Sequence, residues 1–187
     1  MKKNKRKIAG FLIFVASAQF ILALKIAEAL YPNYSVSSNY ISDLGVGPSA
    51  FIFNFSVFLL GLLTLISAYF LLIEKEPKDF LFCLVLAGIG AMGVGIFTED
   101  FGLLHVIFSF ITFFFGALAS VFSYKIHKSF FSILFLFLGI ISLLSLILFG
   151  LGADLGLGKG GMERMIAYPI LIWALGFGVH IAKGKSF

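Results

Sequence analysis

Six apolar stretches, each long enough to cross the roughly 30 Å hydrocarbon core of a bilayer, constrain the fold of this chain more than any other feature. They cover about residues 8–30, 50–73, 80–97, 103–124, 130–151 and 162–181. Hydrophobic residues make up 60% of the chain and charged residues only 12%, which is too few charges to cover a soluble globule. No stretch alternates with period two, so a transmembrane barrel is excluded. We therefore predict an all-α fold, a six-helix transmembrane bundle that forms a single polytopic membrane domain over residues 1–187.

Lysine and arginine residues in the short connections predict the orientation of the bundle. Eleven of them fall on one face: Lys2, Lys3, Lys5, Arg6, Lys7, Lys75, Lys78, Lys125, Lys128, Lys183 and Lys185. The opposite loops contain only Lys159 and Arg164. The positive-inside rule makes the richer face cytoplasmic, so both termini are predicted to lie in the cytoplasm. Attraction of these lysines to anionic lipid head groups accounts for the basic composition, and no nucleic-acid partner is implied.

The N-terminal segment has an alternative interpretation as a cleaved signal peptide, because Ala27-Glu28-Ala29 resembles an A-x-A cleavage site after a basic region. We favour a first membrane span, since the apolar run is longer than a usual signal-peptide core and Lys25 interrupts its end.

Candidate site residues gather at the predicted outer ends of the helices. The loop 31–49 is long enough to fold over the bundle as a lid or a short interfacial helix. Ionisable groups at membrane depth are costly, which makes them functional candidates by default. The candidates are Asn39, Ser42, Asp43, Asp100, His105, Glu163 and Arg164. For Glu99 and Lys159 we expect ordinary solvent-exposed helix ends.

One hypothesis is that the outer mouth of the bundle binds a lipid head group from the outer leaflet, with hydrolase or transferase activity as a further option. Arg164 would pair with a phosphate bidentately, with Asn39 and Ser42 as further phosphate ligands. Asp100 would orient His105 as a general base. Asp43 and Glu163 would transfer a proton or bind a divalent cation. The nucleophile is open between a serine, Ser38 or Ser42, and an activated water.

The alternative hypothesis is a non-enzymatic scaffold or sensor protein. In it, Asp43 and Glu163 pair with Arg164 and latch the loop 31–49 to the bundle. We expect Arg164 to have a carboxylate partner, with Asp43 or Glu163 as the leading candidate, because a half-buried charge is tolerable only when it is paired or phosphate-bound. A transporter is disfavoured, since the spans contain no charges near the midplane.

Metal chemistry is limited by the few histidines and the single cysteine, Cys83. His105 lies at the outer start of span four, whereas His127 and His180 lie near the cytoplasmic face. A three-histidine zinc site is therefore excluded by the predicted topology. The identity of any cofactor stays open, and a divalent cation at the acidic outer cluster is one option.

Several motifs resemble those of a known family. They are ISDLG at 41–45, FTED at 97–100, LH at 104–105 with Ser109 and Phe113, and GMER at 161–164 leading to Trp173. Together they resemble the prokaryotic six-span "domain of unknown function 998" family over nearly the whole chain. The resemblance implies a multi-pass protein of a prokaryotic cell membrane and no particular reaction. The ISDLG element is more distantly similar to the Frag1/DRAM/Sfk1 group, which is associated with lipid remodelling, and this implies membrane lipids as partners.

The lysine and arginine asymmetry generates a topology prediction. A cysteine introduced at Ser38 should react with a membrane-impermeant thiol reagent added outside intact cells, and one at Ser129 should not. Labelling of the two variants in cells and in lysed cells measures this. The reverse pattern would contradict the predicted orientation.

Overall fold

The structure, a computed structural model, describes residues 2–126 and 130–183. All regular structure in these ranges is helical, and six helices are long and apolar enough to span a membrane. They are α1 (Lys2–Leu30), α2 (Ala50–Ile73), α3 (Lys78–Ile96), α4 (Leu103–Phe122), α5 (Phe130–Gly150) and α6 (Gly158–Lys183). The prediction of an all-α, six-helix multi-pass membrane protein is confirmed. His127, Lys128 and Ser129, in the predicted turn between α4 and α5, lie outside the described residues.

Two helices begin earlier than the apolar stretches predict. Helix α1 begins at Lys2 and α6 begins at Gly158, in each case several residues before the predicted span. Hydropathy detects only the part of a helix that lies in hydrocarbon. Polar turns at a helix end continue the same backbone hydrogen bonding without contributing to that signal.

The helices close into a ring. Each helix packs against the next in sequence, α6 returns to α1, and α4 also contacts α6 across the ring. Serine hydroxyls join neighbouring helices by donating to backbone carbonyls: Ser67 Oγ to Ala9 O at 2.9 Å, and Ser120 Oγ to Phe135 O at 2.7 Å. Small polar side chains suit this position, because helix association in lipid depends on close packing and interhelical hydrogen bonds rather than on the hydrophobic effect.

The two ends of the ring differ. We call the end where residues 31–49, 97–102 and 151–157 connect the helices the loop end, and the opposite end the tail end. Aromatic rings fill the tail-end core: Phe80 lies 6.5 Å from Trp173 and 5.3 Å from Phe177 between ring centroids. These three rings are at most 2% exposed. These rings connect α3 to α6 across the interior of the ring at the tail end.

The loop 31–49 folds back over the loop end. Its Ile41 and Leu44, which are 4% and 0% exposed, belong to a core cluster with side chains of α1, α2, α3 and α6. Asn54 Nδ2, in the second turn of α2, donates to the Gly45 carbonyl at 2.8 Å. Two short 3₁₀ turns cover the end of the loop, Ser42–Gly45 and Gly47–Ser49. Of the two alternatives, a lid or a short interfacial helix, the segment is closer to the first: it folds over the bundle and contains two 3₁₀ turns.

Candidate functional site

A groove of about 600 Å³ lies between α4 and α5 toward the loop end. Its volume falls within the roughly 300–1,000 Å³ range of small-molecule sites. The walls farther from the loop end are apolar. The part nearest the loop end, which we call the upper end, is lined by Tyr40, Ser42, Glu99, His105, Ser109 and Glu163. Val106 and Phe110, on the wall that α4 contributes, are 59% and 51% exposed. Exposed apolar side chains within a membrane span face hydrocarbon, so the groove opens sideways toward lipid.

An inner cavity of about 80 Å³ adjoins the groove from the centre of the bundle. Five residues line both spaces and form their common boundary: Ser42, His105, Ser109, Phe113 and Glu163. A space of this size with polar groups on its wall is large enough for water.

His105 is held at the boundary by two hydrogen bonds. Its Nδ1 lies 2.8 Å from the carbonyl oxygen of Phe97, and its Nε2 lies 3.2 Å from Ser109 Oγ. A carbonyl only accepts, so Nδ1 carries the proton, and in the neutral ring Nε2 accepts from the serine hydroxyl. The side chain is 7% exposed. The tautomer is thus fixed by the backbone at the end of α3.

Asp100 does not take the position that the sequence hypothesis gives it. The residue is exposed in the short 3₁₀ turn Glu99–Phe101. The Phe97 carbonyl, in place of the Asp100 carboxylate, contacts His105 Nδ1. Asp100 also lines neither the groove nor the inner cavity.

Glu163 links the loop to the groove. It is 7% exposed, lines both spaces, and accepts a short hydrogen bond from the backbone N–H of Ile41 through Oε2. A buried carboxylate needs such a partner, and here a loop amide provides it. This hydrogen bond holds the loop backbone at Ile41 against α6, next to the groove.

Asp43 and Asn39 stabilise the loop itself. Asp43 Oδ2 accepts from Asn39 Nδ2 at 2.8 Å and from the Tyr40 backbone N–H at 3.1 Å. Asn39 Oδ1 in turn accepts from the Ser35 backbone N–H at 3.1 Å. Neither Asp43 nor Asn39 lines the groove, whereas Ser42, between Tyr40 and Asp43 in the chain, lines both spaces.

Glu99 is not the ordinary solvent-exposed residue at a helix end that we expected. It is half-buried at the upper end of the groove and shares a hydrogen bond with Asp43. Burial raises the pKa of the Glu99 carboxyl above its usual range, and the neighbouring Asp43 carboxyl raises that pKa further. The Glu99 carboxyl therefore keeps its proton to a higher pH than an exposed glutamate does.

Arg164 is enclosed by the loop and by α1. Its Nη1 donates to the carbonyls of Val36, Asn39 and Gly160 at 3.0, 3.3 and 3.0 Å. Its Nη2 donates to Glu28 Oε1 at 2.8 Å and to Tyr34 Oη at 2.6 Å. The side chain is 4% exposed. A guanidinium committed to five protein acceptors is not presented to a lipid phosphate.

The carboxylate partner of Arg164 is Glu28, and the expectation of Asp43 or Glu163 in that position is wrong. Glu28 uses its two oxygens separately, Oε1 for Arg164 and Oε2 for Lys25, each at 2.8 Å. We name the set of Glu28, Tyr34 and Arg164, with the three loop and helix carbonyls that Arg164 contacts, the latch. It joins α1, the loop 31–49 and α6.

Tyr34 completes the latch as both donor and acceptor. Its hydroxyl donates to the Tyr40 carbonyl at 2.8 Å while it accepts from Arg164. Burial raises the pKa of Tyr34 to about 12, although the Arg164 charge opposes that shift. The phenol therefore stays protonated and keeps both contacts at neutral pH.

The acidic residues at the loop end do not form a metal site. Among the side chains of residues 5–126 and 131–183, no group of three His, Cys, Asp or Glu is placed to hold a metal ion together. Glu163 is occupied by the Ile41 amide, and Asp43 by Asn39 and Tyr40. The residues present do not fit the divalent cation that the sequence left open.

Two residues of this region were missed by sequence reasoning. Glu28 entered the sequence analysis only as part of a possible cleavage site, and nothing in the sequence indicates its pairing with Arg164, 136 residues later. Ser109 lies four residues after His105, a spacing that places both side chains on one helical face. That spacing was visible in the sequence as a signal for the His105–Ser109 pair.

The latch generates a stability prediction. Arg164→Met should lower the free energy of unfolding by about 3–5 kcal/mol, because it leaves Glu28 half-compensated and the loop carbonyls without a donor. Thermal and chemical unfolding of the purified protein in detergent measures the change. Lys159→Met, which removes an exposed cation at the same end, is the matched control and should change stability by less than about 1 kcal/mol. Equal stabilities for the two variants would rule out the latch.

Glu99 generates a pH prediction. Its pKa is raised in the folded protein, so the stability it contributes is complete below its unfolded pKa and is lost as the pH rises through the folded pKa. We expect the melting temperature of the wild type to fall over that range and that of Glu99→Gln to fall less. Asp100→Asn removes only a minor contribution to the raised pKa of Glu99, so its melting temperature should fall nearly as much as that of the wild type. Parallel profiles for the wild type and Glu99→Gln would contradict the raised pKa of Glu99.

Comparison with known sequences bears on the whole bundle. No curated protein and no solved structure matches the chain. The family described as "Protein of unknown function (DUF998)" matches residues 14–180, which include α2 to α5, most of α1 and α6, and every residue of the groove and the latch. The chain belongs to this multi-span membrane family.

Proposed function

We propose that this protein binds a membrane lipid in the groove between α4 and α5, with the head group at the loop end. The observation that carries the proposal is the amphipathic character of the groove. Its deeper walls are apolar and open toward the hydrocarbon beside Val106 and Phe110, while ionisable side chains line its upper end. A lipid has the same order of apolar chain and polar head along its length. With the predicted topology, the lipid comes from the outer leaflet.

The charges around the groove favour a zwitterionic head group with an amine. Glu99 and Glu163 line the upper end, and a carboxylate attracts an ammonium group. Arg164 is committed to the latch, so the exposed Lys159 is the basic group beside the groove, with its Nζ 4.3 Å from the centroid of the Tyr40 ring. An ethanolamine head would place its amine toward the carboxylates and its phosphate toward Lys159.

The structural hypothesis is supported by a different observation, the set of contacts that Arg164 makes. Those contacts hold the loop 31–49 to α1 and α6. Latch and groove have no side chain in common, since Glu28, Tyr34 and Arg164 line neither space. We therefore treat the latch as the support of the groove, because it holds the loop that contributes Tyr40 and Ser42 to the groove wall.

The lipid-binding proposal predicts that filling the groove abolishes binding. Leu146→Trp places an indole in the α5 wall, and we expect at least about tenfold weaker binding of phosphatidylethanolamine, since the lipid and the indole compete for one volume. Native mass spectrometry of the full-length protein in detergent, titrated with phosphatidylethanolamine, measures the affinity. Leu144→Trp is the matched control, because Leu144 is 56% exposed on the same helix and lies outside the groove wall.

Two further titrations test the head-group assignment. Phosphatidylglycerol has no amine and should bind less tightly than phosphatidylethanolamine to the wild type. Lys159→Ala should weaken phosphatidylethanolamine binding while leaving the melting temperature nearly unchanged. Equal affinities of the wild type, Leu146→Trp and Leu144→Trp would remove the groove as the lipid site.

A further inference from the structure

Ser109 and His105 form a hydrogen-bonded pair at the boundary of the groove and the inner cavity. We propose that Ser109 is a nucleophile that accepts the acyl group of an ester-linked lipid, with His105 as its general base and water as the final acceptor. The protein would then be a lipid acyl hydrolase. This inference rests on the proposed lipid binding in the groove.

The hydrogen bonds around His105 have the polarity that a general base requires. The Phe97 carbonyl holds the proton on Nδ1, which leaves the Nε2 lone pair directed at Ser109 Oγ, 3.2 Å away. A nucleophile, a base and a group that orients the base are thus linked by successive hydrogen bonds. A backbone carbonyl replaces the carboxylate that usually orients such a base.

Ser109 lies at the right depth for an ester. It is one helical turn further into the membrane than His105, at the level where the groove wall changes from ionisable to apolar side chains. In a glycerolipid the ester carbonyls lie between the head group and the acyl chains. A lipid with its head group beside Glu99 and Glu163 would therefore bring an ester to Ser109.

The reaction balances with these groups. As Ser109 Oγ bonds to the ester carbonyl carbon, its proton moves to His105 Nε2. The bond between that carbon and the glycerol oxygen then breaks, and Nε2 returns the proton to the leaving alcohol. Water attacks the acyl-serine ester, giving a proton to Nε2, and the release of the fatty acid returns that proton to Ser109.

The surroundings of the pair assist both steps. Glu163 lines the same two spaces, so a carboxyl group borders the volume in which each proton transfer takes place. Ser42 contributes a hydroxyl to the same wall as a hydrogen-bond donor for the tetrahedral intermediate. The inner cavity of about 80 Å³ on the far side of the pair is the source of the attacking water.

Labelling with a serine-directed reagent tests the nucleophile. The full-length protein in nanodiscs of phosphatidylethanolamine is treated with a long-chain alkyl fluorophosphonate, and peptide mass spectrometry locates the adduct. We expect phosphorus to bond to Ser109 Oγ with loss of fluoride. Ser109→Ala should lose the adduct, and Ser38→Ala, which removes an exposed loop serine, should label as the wild type does.

The rate of labelling tests the role of His105 as the general base. His105→Ala should label at least about 100-fold more slowly, and added imidazole should restore part of the rate, because it supplies a base in the space that the side chain leaves. A purely structural role of His105 would give no such rescue. His105→Gln, which keeps a hydrogen-bonding side chain at the position, shows by its melting temperature whether the fold persists. Release of fatty acid from phosphatidylethanolamine by the wild type, and none by Ser109→Ala, completes the test.

The outcomes separate the two proposals. If phosphatidylethanolamine binds and Leu146→Trp prevents it, but Ser109 acquires no adduct and no fatty acid is released, the hydrolase inference is wrong and the lipid site stands. An adduct only at serines other than Ser109 would also overturn the inference. If the wild type binds no phosphatidylethanolamine, acquires no adduct and releases no fatty acid, both proposals fail.

Discussion

The buried guanidinium of Arg164 is the constraint on which the loop end depends. A charge that is 4% exposed is tolerable only when it is paired, and the two Nη atoms of Arg164 take five acceptors from α1, the loop 31–49 and α6 itself. Once Arg164 is satisfied in this way, the rotation of α6 is set. The preceding residue, Glu163, then lies about 100° around the helix and reaches the Ile41 amide and the groove. Two adjacent residues therefore serve different purposes, one closing the loop and the other facing the proposed lipid site.

The groove exists because the two ends of the bundle are packed differently. Toward the tail end, Ser120 joins α4 to the Phe135 carbonyl of α5, and Trp173 Nε1 donates to Ser123 Oγ at 3.0 Å. Toward the loop end, the equivalent space between α4 and α5 is bordered by apolar side chains such as Phe110 and Phe149, with polar groups at its upper end, and it stays open as the groove. Since lipid is as apolar as the helices, nothing in the membrane forces that space to close. An acyl chain of a membrane lipid can fill this space.

The sequence predicts the six spans well, because hydropathy responds to the one property that a bilayer imposes on every helix, its apolar length. It also places the candidate residues at one end of the bundle, since successive connections between the spans lie at alternate ends. It does not predict which side chains meet. Pairing of Arg164 with Glu28, instead of Asp43 or Glu163, depends on how α1 and α6 are rotated about their axes. Nearly uniform apolar helices contain little information about that rotation. Asp100 likewise lies near His105 in sequence, yet a backbone carbonyl takes its expected place.

That carbonyl connects the membrane constraint to the proposed chemistry. Helix α3 ends at Ile96, and the carbonyls at a helix end have no partner within the helix. In a membrane protein each of them needs a donor from elsewhere in the chain. The Nδ1–H of His105 satisfies the Phe97 carbonyl, and by doing so it fixes the imidazole tautomer. The remaining nitrogen, Nε2, is then an acceptor directed at Ser109 on the groove wall. The need to satisfy a helix end is thus sufficient to orient a base toward a serine, without a carboxylate in the third position.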